Sequence, residues 1–325
     1  MLAKQTNCSA ALMEIYAGEI PQRERAKRAL WTADEHAARK AQLLKQLRNG
    51  FSGDFDRFVL SGEQLHNLTL EQLTALQKEL ASHVDEVRVL AYVREAASWM
   101  ESAFQQRVKT GDVADFNNLR RVLPEYRSKL ERFDKAFGRD KVTLWKFEPA
   151  TFVGKDVVLD FCSKLGFEFD PGQIVLDNEG VSRDGVGLLY LYRHYAKPAK
   201  MTAQDKQDVR LLMRQMGSLS GDKMRIAPKV LAPYLADIAA DMAWMEGRLG
   251  AIVSTPPTAK PGAIATEAEL LTPTQKGVAW LGEQLGRQLV ADGASASGEQ
   301  VAAWMEEWLK LLKLGVPSRP VKTAP

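Results

Sequence analysis

The sequence predicts an α/β protein with a three-layer parallel sheet and a helical C-terminal extension. Three short runs, residues 57–60, 87–92 and 142–147, are rich in β-branched and aromatic residues and contain no Gly or Pro, which is typical of buried strands. Helical patterns separate the runs. Strands that alternate with helices pair in parallel through right-handed crossovers.

Helix signals fill the spaces between the predicted strands and most of the chain after them. Thr69 and Gln72 have the spacing of a capping box, so we expect a helix from Thr69 to about Ser82. Residue composition and amphipathic spacing predict the other helices. These cover residues 22–48, 95–109, 124–137, 156–165, 183–195, 203–216, 228–249, 275–290 and 299–314.

Shifts in composition divide the chain into five predicted parts. Residues 1–50 form an N-terminal helical segment, and residues 51–253 form the α/β domain. Residues 254–274 are Pro-rich, as linkers often are. Residues 275–316 form a helical hairpin with an apolar stripe over residues 299–314, which suits a partner helix or a second copy of the chain. Residues 317–325 are predicted to be a disordered tail.

The overall composition excludes several classes of protein. Of the 325 residues, 45% are hydrophobic and 26% are charged, as in ordinary globular proteins. The net charge of +3 is too balanced to indicate nucleic-acid binding. Cys8 and Cys162 match neither a metal-ligand spacing nor a disulfide framework, so we expect no metal. The sequence shows no secretion signal and no apolar run long enough to span a membrane, which predicts a cytoplasmic protein.

The junction after the second predicted strand is the main candidate for a binding site. Arg94 directly precedes the helix predicted over residues 95–109, and Ser102 follows eight residues later. Ligands of open α/β sheets bind beyond the carboxyl ends of the strands, and a guanidinium beside a helix N-terminus suits an anion. The alternative is that Arg94 pairs with a surface carboxylate and that Ser102 is an ordinary helix residue.

Three segments, taken in order, resemble one known family. They are LSGEQL (60–65), VRVLAYVREAASWMESAFQQRVKTG (87–111) and VTLWKFEP (142–149), the last leading to KLGF (164–167). Their order and spacing resemble the bacterial sulfotransferase-like proteins of the P-loop superfamily. A more diffuse similarity continues over residues 178–193 and 223–250. The resemblance implies the three-layer fold of that family, a parallel sheet with helices on both faces. It also implies 3′-phosphoadenosine 5′-phosphosulfate (PAPS) as the co-substrate, without a metal.

The resemblance also implies roles for four residues. Arg94 and Ser102 would bind the 3′-phosphate of PAPS. Glu63 would act as the base that deprotonates an acceptor hydroxyl or amine, with His66 as the second candidate for that role. A glycan is the acceptor expected by analogy alone. The other interpretation is that Glu63 is a loop or capping carboxylate and that His66 is a surface histidine.

One part of the family pattern is missing. Such enzymes begin with a strand and a Gly-rich loop, G-x-x-K-[ST]-G-[ST]-[ST], whose backbone N–H groups hold the 5′-phosphosulfate. The glycines of residues 1–60 are Gly18, Gly50 and Gly53, and none has that context. We therefore expect either a chain truncated upstream of Met1 or a diverged relative that has lost the chemistry. The alternatives are a non-catalytic binding or scaffold protein on a degenerate version of this fold, and an unrelated helical protein.

Overall fold

The computed structural model describes residues 7–25, 27–110, 114–174, 181–196, 201–291 and 293–315, and most of them are helical. The predicted tail, residues 317–325, lies outside the described residues, as do residues 178–180 of the diffuse resemblance and Gly111. The chain forms two units, each assembled from separate stretches. Unit 1 comprises Met1–Val93, Glu125–Lys146 and Gly247–Gly250, and unit 2 comprises Arg94–Pro124, Phe147–Glu246 and Ala251–Pro325.

The described part of the chain contains two strands, β1 (Val89–Val93) and β2 (Val142–Lys146). Its α-helices are α1 (Ser9–Ala17), α2 (Gln22–Arg25), α3 (Ala33–Gly50), α4 (Leu70–Ala81), α5 (Ala96–Thr110), α6 (Tyr126–Phe137), α7 (Val157–Lys164), α8 (Arg183–Ala196), α9 (Ala203–Gln215), α10 (Pro228–Asp237), α11 (Ala239–Leu249), α12 (Glu267–Leu271), α13 (Gln275–Leu285) and α14 (Gly298–Lys313). Short 3₁₀ helices lie at Glu63–Asn67, Leu119–Val122, Arg139–Lys141, Val153–Lys155, Pro171–Gln173 and Met216–Ser218.

Unit 1 is a helical layer packed around leucine side chains, together with the two strands. Helices α3, α4 and α6 bury one face each, because their buried residues are spaced as on one side of a helix, whereas α1 is buried on several sides over residues 12–15. The buried leucines of this layer are Leu12, Leu43, Leu47, Leu73, Leu76 and Leu80. Capping boxes start two of the helices, α3 at Thr32 with Glu35 and α4 at Thr69 with Gln72. The second box confirms the start predicted for that helix.

The two strands of unit 1 pair in parallel. The register runs from Val89 opposite Val142 to Val93 opposite Lys146. The rings of Tyr92 and Trp145, which are opposite each other in this register, lie 5.4 Å apart. The strands predicted over residues 87–92 and 142–147 are therefore present, with their ends shifted by one or two residues.

The predicted three-layer parallel sheet of the P-loop sulfotransferase type is wrong. The described residues hold a two-stranded sheet, and helices make up most of both units. Residues 57–60, predicted as a strand, form no strand, and the ring of Phe58 instead packs against Phe51 at 5.0 Å, beside the end of α3. Helix α1 occupies part of the region where the family would have its first strand. The alternative of a helical protein comes closer, although β1 and β2 remain a parallel pair.

Unit 2 has one large apolar core. It is built from α5, α8, α9, α13 and α14, with contributions from the loops between them. Met100 and Phe104 of α5 meet Leu189 and Tyr192 of α8 in this core, and each is 1% exposed or less. Trp308 of α14 joins the same cluster.

The segment predicted as a linker, residues 254–274, is anchored to unit 2. Ile264 is buried, and its backbone N–H donates to the carbonyl of Arg225 at 2.8 Å. Tyr190 of α8 donates its hydroxyl hydrogen to Glu267 of α12 at 2.5 Å. Among the described residues, none of the helices has the length and apolar character needed to cross a bilayer.

Candidate functional site

Arg94 is placed by the end of β1 and the start of α5. It directly follows Val93, the last residue of β1, and precedes the first turn of the helix by one residue. Phe147 holds the matching position after β2, because Val93 and Lys146 are partners in the parallel register. Residues that directly follow the ends of two paired parallel strands lie side by side, which accounts for the contact between Arg94 and Phe147.

Two contacts orient the Arg94 guanidinium. Its Nε donates to Ser98 Oγ at 3.2 Å, and the Ser98 hydroxyl donates in turn to the carbonyl of Glu95 at 3.1 Å. The guanidinium also lies over the ring of Phe147, 5.3 Å from the ring centre, as in a cation–π contact. Phe152 packs edge-on against Phe147 at 5.2 Å and holds that ring in place.

The hydroxyl that accepts from Arg94 Nε belongs to Ser98, four residues along the chain. Residues four apart on a helix are neighbours on one face, whereas Ser102 lies a further turn along α5. Ser102 is half-buried on that helix. Sequence analysis missed Ser98 and Phe147. The spacing of Arg94 and Ser98 could have identified the first, and the parallel pairing of the two strands could have identified the second.

Burial and nearby charges act together on Arg94. Burial lowers its pKa, the carboxylate of Glu101 opposes that effect, and the like charge of Arg225 adds to it. The guanidinium stays protonated at neutral pH, since arginine loses its proton only far above that range. The result is a half-buried cation that is influenced by the positive charge of Arg225 and by Glu101, whose carboxylate offsets part of the charge.

The start of α5 is partly capped by a loop of the same unit. The backbone N–H of Ala96 donates to the carbonyl of Val253 at 3.1 Å. Val253 is held there because its own N–H donates to Glu246 Oε1 at 2.9 Å. One of the N-terminal donors of α5 is thus satisfied within the chain.

The two candidate bases lie in unit 1, on the 3₁₀ helix Glu63–Asn67. Glu63 begins the helix and its side chain is exposed. His66 is half-buried, and its ring donates to the backbone carbonyl of Glu63. Arg132 of α6 fixes this segment by donating to the carbonyls of Leu68 at 2.7 Å and His66 at 3.1 Å.

The surroundings of His66 favour its neutral form. Burial lowers the pKa of His66, and the positive charges of Lys129 and Arg132 lower it further. The backbone bond to Glu63 and the charge of Glu125 act in the opposite direction with smaller effect. A neutral imidazole with one nitrogen donating to a carbonyl keeps the other nitrogen as a proton acceptor, which is the form that a general base needs.

The four predicted site residues thus fall into two pairs. The structure joins Glu63 to His66 within unit 1, and it places Arg94 and Ser102 on one stretch of unit 2. Within the described residues, no group of three or more His, Cys, Asp or Glu side chains is arranged to hold a metal ion.

Comparison with known proteins gives a partial match. The chain is 26% identical over 110 residues to an uncharacterized protein of Archaeoglobus fulgidus, and the match covers 34% of this chain and 30% of that relative. No protein-family model matches the chain, and no solved structure matches it. The function has to be argued from the geometry of the site.

Proposed function

We propose that this chain binds a phosphorylated nucleotide of the PAPS class through Arg94. The observation that carries the proposal is the half-buried Arg94 guanidinium, oriented by Ser98 and Phe147 directly after a parallel strand. A guanidinium offers a planar fork of donors that matches a phosphate group, and partial burial strengthens such a contact. The Phe147 ring adds an aromatic surface of the kind on which a base or sugar packs.

The residues present fit one part of PAPS better than the other. Arg94, Ser98 and Ser102 offer charge and hydroxyl groups for a 3′-phosphate. A Gly-rich loop for the 5′-phosphosulfate is not found in the described residues 7–25 and 27–60, where helices α1 and α3 form instead. Binding without group transfer, the non-catalytic alternative, is therefore the form of the proposal that the described residues support best.

Sulfuryl transfer from PAPS to a hydroxyl or amine, for example of a glycan, is the reaction that such binding would serve. A general base must be unprotonated and accessible to the acceptor. The lowered pKa of His66 favours its unprotonated form, and the side chain of Glu63 is exposed. The role proposed for either residue is to take a proton from the acceptor.

Calorimetric titration of the full chain with adenosine 3′,5′-bisphosphate tests the proposal. We expect the unmodified chain to bind and Arg94→Ala to weaken binding about tenfold or more, since hydrogen bonds to charged groups are among the stronger contacts. The matched control is Arg120→Ala, because Arg120 is an exposed arginine of the same unit, paired with Asp237 at 2.7 Å. The proposal fails if the unmodified chain shows no heat of binding, or if both variants bind as it does.

A further inference from the structure

One face of α5 carries a row of polar side chains below Arg94. Ser98, Glu101 and Gln105 follow Arg94 at intervals of three or four residues, so they share that face of the helix. Another face of the helix, with Met100, lies in the apolar core, and the polar row is itself withdrawn from water, because Glu101 is buried and the other three side chains are half-buried. The row therefore needs partners from elsewhere in unit 2.

Residues 223–226 supply those partners. Gln105 Nε2 donates to the carbonyl of Met224 at 3.2 Å. Glu101 accepts twice, from Arg225 Nη1 at 2.7 Å and from the backbone N–H of Ile226 at 2.9 Å. The buried side chains of Met224 and Ile226 anchor the segment beside the helix. We call this contact between the polar row of α5 and residues 223–226 the α5 seam.

The α5 seam is cationic. Glu101 is 8% exposed, and a buried carboxylate requires charge pairing, which Arg225 supplies. Arg94 lies on the same face of α5, seven residues before Glu101, and the charges of Glu101 and Arg225 both act on it. Lys109 and Lys223 add two more positive charges, which act on each other at the far end of the seam. The cations therefore outnumber the carboxylate within the seam.

We infer that Arg225 is the second guanidinium of the phosphate site at Arg94, held in position by Glu101, and that the ligand group is a phosphate monoester dianion. This inference rests on the proposed function. Arg225 is one-third exposed, and a guanidinium has five donors, so it can bind Glu101 and a ligand oxygen at the same time. A terminal phosphate monoester has three oxygens and up to two negative charges, which suits two guanidinium groups better than one.

The inference gives Glu101 a positioning role. This role predicts an effect on binding that is opposite to the effect expected from charge alone. Removing a carboxylate beside an anion site should tighten anion binding if only charge matters. If Glu101 instead fixes Arg225, Glu101→Gln should weaken binding, because the side chain that remains no longer holds the guanidinium in place. Glutamine keeps the shape of the side chain and an oxygen that can accept from Ile226, so the backbone contact has a replacement.

The test is calorimetric titration of the full chain and its variants with adenosine 3′,5′-bisphosphate, with thermal unfolding of each variant as a check of folding. We expect Arg225→Gln to weaken binding about tenfold to a hundredfold and Arg225→Lys to weaken it less, since lysine keeps the charge and loses the fork. Glu101→Gln should also weaken binding. Arg120→Gln, which removes an exposed charge of the same unit, should leave the affinity unchanged.

The outcomes separate this inference from the proposed function. If the unmodified chain does not bind the nucleotide, the proposed function fails and the inference fails with it. If Arg94→Ala abolishes binding while a folded Arg225→Gln or Arg225→Lys chain binds normally, the inference alone is overturned. If Glu101→Gln binds more tightly than the unmodified chain, the positioning role is overturned. Less-than-additive losses in an Arg94→Gln/Arg225→Gln double variant would support a shared phosphate.

Discussion

At the scale of single residues, His66 links the local electrostatics of unit 1 to stability. Folding buries its ring next to Lys129 and Arg132, and both effects lower the pKa of His66 below its ordinary value of about 6.5. The unfolded chain therefore binds a proton at His66 more readily than the folded chain does. The contribution of His66 to the free energy of unfolding is therefore fully present above about pH 6.5, the pKa of this residue in the unfolded chain. It is lost as the pH falls from there through the lower pKa of the folded chain.

We expect His66→Gln to reduce the loss of stability on acidification. The free energy of unfolding of the unmodified chain should fall between about pH 7.5 and about pH 5, and the fall should be smaller in the variant. Urea denaturation followed by circular dichroism at the two pH values gives the comparison. His194→Gln is the control, because His194 is an exposed histidine on α8. Equal losses in all three chains would contradict the effect assigned to burial of His66.

The contacts of Arg94 show what sequence could predict at this scale and what it could not. The position of Arg94 after a strand was evident from the apolar run before it. Its pairing with Ser98 depends on helix geometry alone and was open to prediction. The pairing of Arg225 with Glu101 on the same helix was not, because 124 positions separate these two residues and no local pattern predicts that residues 223–226 pack against α5.

At the scale of elements, the start of α4 is fixed by local chemistry. The Thr69 hydroxyl accepts from the backbone N–H of Gln72 at 3.2 Å, and the Gln72 side chain accepts from the N–H of Thr69 at 2.9 Å. Both donors would otherwise be unsatisfied at a helix N-terminus. The arrangement involves neighbours in sequence, which is why the sequence predicted it.

We expect Thr69→Ala to lower the free energy of unfolding by about 1 kcal/mol, the usual effect of losing an N-cap side chain. Thr74→Ala is the matched control on the same helix. Thr74 lies in the helix interior with its hydroxyl donating to the carbonyl of Leu70, and alanine has the higher helix propensity there. Chemical denaturation of both variants measures the difference. A Thr69→Ala chain as stable as the Thr74→Ala chain would show that the cap contributes nothing to folding.

Elements that depend on distant neighbours were predicted less well. Residues 57–60 have the composition of a strand, but a strand needs a partner, and Phe58 meets the ring of Phe51 instead. The helix predicted over residues 22–48 is interrupted, because Arg28 turns inward to the buried carboxylate of Glu14 at 2.5 Å and a new capping box starts α3 at Thr32. Residues 22–48 are rich in amino acids of high helix propensity, so their composition did not predict this interruption.

At the scale of the whole molecule, neither unit is a continuous piece of the chain. The chain passes between the two units after Val93, Pro124, Lys146, Glu246 and Gly250. A single cut in the sequence therefore cannot isolate either unit. Composition cannot reveal such a division, because it describes stretches of sequence and not the contacts between distant stretches.

The C-terminal helix α14 illustrates the same point. Its apolar stripe was predicted to suit a partner helix, a second copy or a hairpin. In the structure Val301, Met305 and Trp308 lie in the core of unit 2, and Tyr192 of α8 donates to Glu306 at 2.8 Å. The predicted stripe comprises Trp304, Trp308, Leu311 and Leu312. Trp308 is buried in this core, and Trp304 and Leu312 are partly buried against it, so α8 and α13 of the same chain cover part of the stripe.

Trp308 provides the test of whether α14 folds together with unit 2. The residue is 1% exposed and packs edge-on against Trp280 at 5.2 Å, so Trp308→Ala should leave a large cavity and lower the free energy of unfolding by about 3 to 5 kcal/mol. Trp308→Phe should cost much less, because it keeps an aromatic ring in the core. Leu314→Ala, at a position that is 76% exposed, should change stability by no more than about 0.5 kcal/mol.

Urea denaturation followed by far-ultraviolet circular dichroism measures these differences without depending on the tryptophan signal, which the Trp308 variants lose in part. If Trp308→Ala and Leu314→Ala unfold at the same urea concentration, α14 does not contribute to the stability of unit 2, and its apolar stripe would again be available to a partner.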